Sequence, residues 1–236
     1  GTRAMQDLAR QHGAELRDHC PVDSVRDLGS QGIEVTAGGR VVTCRRLVVC
    51  ADAWTNQVLA GLGVELPLEV THEQATYFAV PDPDSFQPGR LPLWIWMDDP
   101  SFYGFPCYGE ATVKAAQDCG GPPVDPDRQV DPVDEDRLAL LRGHVQSMLP
   151  GVGDPVRSLR CLYTLTPDRD FVLGPVPGHE AVLVGLGAGH GFKFAPTFGR
   201  LLADLAERGD TDADVSPFRM DRAALTDASY QPHHLV

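Results

Sequence analysis

The stretch between residues 181 and 208 constrains the fold of this chain more than any other. Residues 181–185 form a short apolar run typical of a buried strand, residues 185–191 carry glycine at every second position, and residues 196–208 have helical periodicity. Such a turn lets the backbone approach a ligand closely and exposes N–H groups to an anionic or electron-rich partner. The dinucleotide fingerprint G-x-G-x-x-G is excluded, because His190 and Phe192 stand where its last glycine is required. On spacing alone, a tight turn without a ligand stays open as an alternative.

The first 67 residues alternate helix and strand patterns, which is typical of an α/β chain. Residues 47–51 are continuously apolar, as in a strand buried on both faces of a sheet, and Thr55 or Asn56 can cap a helix that follows. The other predicted elements here are an amphipathic helix over 2–13 that stops at Gly13 and a hairpin pairing 32–36 with 41–43.

The residue pattern changes at about Leu68, where aromatic residues and Pro-rich turns become frequent. Aromatic strand-like runs over 69–80 and 91–114 predict a mostly antiparallel sheet that covers a substrate, although an aromatic core without a pocket has the same pattern. Asp134 can cap a helix over 135–148 after a Gly-, Pro- and Asp-rich surface loop at 120–134. We therefore predict an α/β (α+β) fold with an inserted antiparallel domain. Its parts are 1–67, the inserted domain 68–156, the returning segment 157–208, and a tail 209–236 whose last twenty residues add little core.

Charge and cysteine content exclude several classes of protein. The chain has 20 basic and 33 acidic residues, so it lacks the basic footprint of a nucleic-acid or anionic-membrane binder. No apolar run approaches the roughly 18 residues of a membrane span, and no signal peptide opens the chain, so we expect a cytoplasmic protein with reduced thiols. Its six cysteines form neither a CxxC pair nor a zinc-ligand pattern, so we expect no metal site.

Lysine is unusually rare in this chain. Of the 20 basic residues only Lys114 and Lys193 are lysines. The other 18 are arginines. Arginine and lysine replace each other on a solvated surface, but not at a site that needs a compact amine. Either the two lysines serve chemistry or they are accidents of a biased composition.

Three segments together resemble one family, monomeric sarcosine oxidase and its relatives such as N-methyltryptophan oxidase. Residues 160–168, RCLYTLTPD, resemble the C-x-Y-T-x-T-P-D motif of that family, and residues 187–194, GAGHGFKF, resemble its later G-x-G-H-G-F-K loop. Residues 103–106, YGFP, followed by Lys114, resemble a third segment. The resemblance covers most of residues 1–208. It implies an incomplete Rossmann-like FAD-binding domain with an inserted antiparallel substrate domain, equivalent to the C-terminal two-thirds of the enzyme.

The resemblance also implies roles for individual residues. Cys161 corresponds to the cysteine that forms a thioether with the flavin of FAD, and Lys114 to the lysine beside which oxygen is reduced. Lys193 corresponds to the lysine that binds the substrate carboxylate, and Tyr163 would line the substrate pocket. Further positions implied to contact the cofactor are Val22, Cys50, Ala51, Gly189, His190, Gly191, Phe192 and Lys193.

The implied function is a flavin-dependent oxidation of secondary amino acids, N-methylated or cyclic, to imines, with oxygen reduced to hydrogen peroxide. We expect a monomer whose partners are a small amino-acid substrate and oxygen. The chain departs from the family in lacking the N-terminal fingerprint, in Asp52 where A-G-A-W has glycine, and in Asp118 where relatives have histidine. A non-catalytic truncated relative and one subunit of a split oxidase are therefore alternatives.

Overall fold

The computed structural model describes residues 1–128 and 133–231. These residues form three β-sheets and five α-helices, joined by turns and loops. The strands are β1 Val22–Asp27, β2 Ile33–Ala37, β3 Arg40–Cys44, β4 Leu47–Val49, β5 Glu69–Ala79, β6 Trp94–Trp96, β7 Phe102–Phe105, β8 Thr112–Gln117, β9 Pro155–Leu165, β10 Val172–Val176 and β11 His179–Leu186. The helices are α1 Thr2–Gln11, α2 Thr55–Leu59, α3 Glu135–Met148, α4 Ala195–Arg208 and α5 Ala223–Thr226. This content confirms the mixed α/β (α+β) class.

One sheet has the order β10-β11-β4, with β11 parallel to β4 and antiparallel to β10. The continuous apolar run of β11 follows from burial on both faces. Leu183 packs under Leu201, Leu202 and Leu205 of α4. Val182 and Val184 enter the opposite core. Because side chains alternate along a strand, a run that meets two cores must be apolar at every position.

A second sheet has the order β1-β2-β3. Its Val25 and Ile33 pack into the core on the side of β11 that faces away from α4. The predicted hairpin is confirmed, with β2 and β3 joined by Gly38 and Gly39. Both glycines have positive φ, 54° and 73°, which the two central residues of such a tight turn require.

The third sheet is antiparallel throughout, in the order β6-β7-β8-β5-β9, and α3 covers one of its faces. Asp134 caps α3 as predicted, because its carboxylate accepts a hydrogen bond of 3.0 Å from the Arg137 N–H. Leu141 and Val145 of α3 pack on Phe78 and Val113 of the sheet. The opposite face of the sheet is therefore left for other partners.

Three local expectations are wrong. Val48 is 38% exposed, because β4 lies at the edge of its sheet and, among the described strands, has a neighbour on one side only. Neither residue proposed to cap α2 does so, and Asn56 instead bonds both main-chain groups of Leu66. The expectation of little core in the last twenty residues fails because Met220 and Leu225 are buried in the core beneath β11.

The loop predicted over 120–134 is more than a surface connection. Its residues Gly121 to Val124 run beside β5, where the Pro122 carbonyl accepts from His72 N and Val124 N donates to the Val70 carbonyl. Residues 129–132 of this loop and 232–236 of the predicted tail lie outside the described residues.

Candidate functional site

The face of the five-stranded sheet that points away from α3 gathers the predicted catalytic side chains. Lys114 of β8 pairs with Tyr77 of β5, and Cys161 of β9 pairs with Glu73, four residues earlier on the same strand β5. Since paired residues in an antiparallel ladder share a face and alternate residues return to it, Lys114, Cys161 and Tyr163 lie on one side of the sheet. Three segments far apart in the chain are thus brought together by strand register.

Tyr103 joins this face, although the sequence analysis did not name it as a site residue. Its hydroxyl lies 3.4 Å from the hydroxyl of Tyr163, at hydrogen-bond distance. Burial raises the pKa of both phenols, and the neighbouring Tyr103 raises that of Tyr163 further. Both are therefore protonated at neutral pH and able to donate a hydrogen bond. The period-two spacing of Tyr103 and Phe105 was the available signal for a shared face.

The thiol of Cys161 is exposed at the sheet surface. Partial burial raises its pKa, the Glu73 carboxylate adds to the rise, and Lys114 and Arg160 act against it. The resting form at neutral pH is therefore the thiol. Cys161 differs in this respect from cysteines whose pKa is lowered by a dominant neighbouring cation and which rest as the more nucleophilic thiolate.

Lys114 is half-buried, and its ammonium lies 5.3 Å from the centroid of the Phe105 ring. The ring face holds the cation through its quadrupole while the amine stays at the sheet surface. A cation is thereby held on the same sheet face as the tyrosine pair.

The glycine loop lies against the same sheet face. An added Cβ on Gly189 would stand 2.9 Å from Cδ2 of Tyr163, and one on Gly187 would stand 2.8 Å from Cα of Gly191. Gly189 also has a φ of 81°, a conformation that favours glycine. Close packing on Tyr163 and on the loop itself therefore explains two glycines that the sequence analysis had singled out.

Lys193 and His190 form a local pair in this loop. The Lys193 ammonium donates to the His190 carbonyl at 2.8 Å and to its Nδ1 at 3.1 Å, while His190 Nε2 lies 3.1 Å from the carbonyl oxygen of Arg169. These partners assign the imidazole tautomer, with Nδ1 accepting and Nε2–H donating. Lys193 is exposed, so it remains open to a ligand.

A cavity of about 350 Å³ opens where the parallel strands β4 and β11 end. Its lining combines Cys50 and Asp52 after β4 with glycines of the loop after β11 and with Phe192 and Phe198. The carboxyl ends of parallel strands are where α/β proteins bind ligands. Of the residues predicted to contact a cofactor, the cavity brings together Cys50, Gly189, Gly191 and Phe192.

Two predicted positions lie elsewhere among the described residues. Val22 begins β1, pairs with Ala37 and is 45% exposed in the hairpin sheet. Ala51 precedes the turn at 52–54 and is not part of the cavity lining. Both were inferred from resemblance alone, without a chemical requirement of their side chains.

Two arginine–aspartate pairs hold the loops around the site. Arg169 contacts Asp118 at 3.2 Å, linking the end of β8 to the loop that follows β9. Arg222 donates two hydrogen bonds of 2.7 and 2.9 Å to the Asp168 carboxylate and one of 3.1 Å to the Asp170 carbonyl. The sequence analysis missed both arginines, because their partners lie about fifty residues away along the chain.

Several known proteins are similar to this chain. The family model "FAD dependent oxidoreductase" matches residues 2–205. Monomeric sarcosine oxidase of Bacillus sp. (strain NS-129) is 32% identical over 229 residues, which cover 94% of this chain and 59% of that protein. N-methyl-L-tryptophan oxidase of Escherichia coli (strain K12 / DH10B) is 29% identical, with 91% and 57% covered.

A solved structure gives the same picture. NikD, an unusual amino acid oxidase essential for nikkomycin biosynthesis, superposes in its open form with a TM-score of 0.79 and 28% identity, covering 98% of this chain and 61% of that one. The chain thus spans about three-fifths of the length of these relatives. No helix in the described part of the chain is long and apolar enough to cross a membrane.

Proposed function

This chain belongs to the family of FAD-dependent oxidoreductases, and from that premise we propose that it supplies the substrate-facing sheet and the flavin-facing loop of an amino acid oxidase. The proposed substrates are secondary amino acids, N-methylated or cyclic, whose C–N bond is oxidised to an imine. Two electrons and two protons pass to oxygen, which gives hydrogen peroxide, and water hydrolyses the imine. The observation that carries this proposal is the shared sheet face of Lys114, Cys161, Tyr163 and Tyr103.

The described residues fit a flavin on two counts. Glycines 187, 189 and 191 line a cavity at the carboxyl ends of two parallel strands with main chain alone. Cys161 presents an exposed thiol two residues from Tyr163, on the same sheet face.

When bound, FAD supplies the two-electron oxidant that takes a hydride equivalent from the carbon next to the substrate nitrogen. The residues of this chain bind and orient the substrate. The Lys193 ammonium pairs with the substrate carboxylate, and the hydroxyls of Tyr103 and Tyr163 stay protonated to donate hydrogen bonds. Lys114 presents a fixed cation where negative charge develops on oxygen as it is reduced.

Covalent attachment through Cys161 is tested by incubating the chain with FAD, denaturing it, and measuring the flavin absorbance that stays with the polypeptide. We expect retention in the unaltered chain and in the Cys44→Ser control, whose thiol lies in the hairpin sheet. Cys161→Ser should release all flavin on denaturation. Flavin retained by Cys161→Ser would contradict the assignment.

The role of Lys114 is tested by measuring flavin reduction by substrate and reoxidation by oxygen separately. Lys114→Met should slow reoxidation far more than reduction, because the cation acts only on the oxygen step. Lys114→Arg keeps a charge and should restore part of the rate. Equal losses in both half-reactions would show that the role is wrong.

The edge of β4 supports one alternative arrangement. β4 has an unpaired edge among the described strands. One subunit of a split oxidase, paired with a chain that supplies the rest of the flavin site, would have that edge covered by its partner. A non-catalytic truncated relative would leave the edge open. Activity that appears only when a second polypeptide is added would support the split enzyme.

A further inference from the structure

We propose that Asp52 binds a sugar hydroxyl of the flavin nucleotide, in the ribityl chain or in the ribose. This inference rests on the proposed function and concerns a residue that departs from the A-G-A-W pattern. It assigns the acidic side chain a ligand in place of the glycine of that pattern.

The position of Asp52 points to a ligand. It follows β4 at the carboxyl end of the parallel pair and lines the 350 Å³ cavity together with Gly187, Gly189 and Gly191. The glycines of the loop line the cavity with main chain only, and the other loop residues of the lining, Leu186 and Phe192, are apolar. Asp52 supplies the carboxyl group of the lining, so it is the charged or polar partner that a ligand in the cavity would meet.

The backbone at Asp52 is held in an uncommon conformation. Its φ is 46°, in the left-handed region that glycine adopts freely and that Asp and Asn tolerate better than other residues. The short turn over Asp52–Trp54 packs against β9, which carries Cys161 and Tyr163. The strained turn therefore directs Asp52 toward the strand of the proposed flavin attachment.

Thr164 of β9 holds Asp52 from the side of the sheet. It is 0% exposed and is not part of the cavity lining. Burial raises the pKa of Asp52, and the Thr164 hydroxyl, close enough to act on the carboxyl, opposes that rise. Thr164 therefore positions Asp52, and the carboxyl group of Asp52 is what a ligand in the cavity would meet.

The chemistry selects a hydroxyl over the other polar groups of FAD. A phosphate would meet a carboxyl group of like charge, and a partly dehydrated setting strengthens that repulsion. A sugar hydroxyl is neutral and donates a hydrogen bond to the carboxyl group. It satisfies that group without adding charge.

The experiment compares binding of lumiflavin, which has no sugar chain, riboflavin, which has the ribityl chain, and FAD, which also has the ribose. Quenching of flavin fluorescence by the full chain gives each dissociation constant. Asp52→Gly removes the carboxyl and relieves the backbone, so it should fold, and Asp52→Asn keeps an acceptor in the same place. We expect Asp52→Gly to weaken riboflavin and FAD about tenfold, with lumiflavin unchanged and Asp52→Asn close to the unaltered chain.

The pattern of losses separates the two sources of the hydroxyl. Loss for riboflavin and FAD alike supports the ribityl chain, and loss for FAD alone supports the ribose. Equal changes for all three flavins, or none, would overturn the inference while leaving the proposed function intact. Failure of the unaltered chain to bind any of the three would overturn the proposed function and this inference with it.

Discussion

Replacing Glu73 by Gln should lower the free energy of unfolding by about 3–5 kcal/mol, the usual cost of breaking a buried ion pair. The Glu73 side chain is 3% exposed and its partner Arg137 14% exposed, with 2.9 Å between their charged groups. The carboxylate also accepts from the Thr71 hydroxyl at 2.8 Å and from Gly121 N at 3.0 Å. Three donors therefore converge on a group that only accepts.

An amide in this position cannot serve all three donors. The NH2 group of Gln must face one of them, and the Arg137 charge loses its counterion while it stays largely buried. Since whole domains are stable by roughly 5–15 kcal/mol, the loss is a large part of the total. It should appear as a clear fall in the urea midpoint at an unchanged slope.

The matched control is Glu110→Gln. Glu110 pairs with Arg157, which is also held on this sheet, but the two side chains are 38% and 43% exposed. Water replaces the lost contact there, so the midpoint should change far less. Equal midpoint shifts for the two variants would refute the argument from burial. The double variant Glu73→Gln with Arg137→Met should recover part of the loss, because it removes the stranded charge.

The same substitution makes a chemical readout possible. The Glu73 charge helps to raise the pKa of Cys161, after burial. Glu73→Gln should therefore lower the pH at which Cys161 is half-alkylated by iodoacetamide. An unchanged or higher midpoint would contradict the electrostatic coupling across this strand pair.

Two further predictions concern the loops around the site. Gly189→Ala should cost more stability than Gly209→Ala: both glycines have positive φ, 81° and 75°, which costs about 1–2 kcal/mol, but only the first meets Tyr163. Equal urea midpoints would show that the contact with Tyr163 is without effect. Burial raises the pKa of Asp168, but the hydrogen bonds and charge of Arg222 outweigh burial and leave the pKa lowered. The pair therefore stabilises the fold above the unfolded pKa of about 4, and this stabilisation is lost as the pH falls through the folded pKa. Asp168→Asn should therefore flatten the fall in urea midpoint below roughly pH 4, and an unchanged slope would contradict it.

Local patterns predicted the elements that local interactions determine. The Asp134 cap needs only a carboxylate three residues before the N–H of Arg137, and the hairpin at Gly38 and Gly39 needs only two residues that accept positive φ. Motif resemblance supplied Lys114 and Cys161. The comparisons confirm the family and leave the role of each residue as a proposal.

Contacts between distant segments could not be read in the same way. The Tyr103 and Tyr163 hydroxyls meet only because β8 and β5 separate their strands in the right register, a choice that no local window contains. Likewise Val48 looks like a core residue by composition, and its exposure depends on which strands flank β4. Such features are properties of the assembled sheet.

The ion pair between Arg222 and Asp168 also bears on how far this chain can be shortened at its C-terminal side. The family match ends at residue 205, yet Arg222 bonds the loop that follows the proposed flavin-attachment strand, and Met220 and Leu225 fill the core beneath β11. A chain trimmed at the family boundary would leave a carboxylate 11% exposed without its guanidinium and open a hole under the parallel strands. Met220, Arg222 and Leu225 thus belong to the same packed unit as the family region, and that unit extends beyond the residues by which the family is recognised.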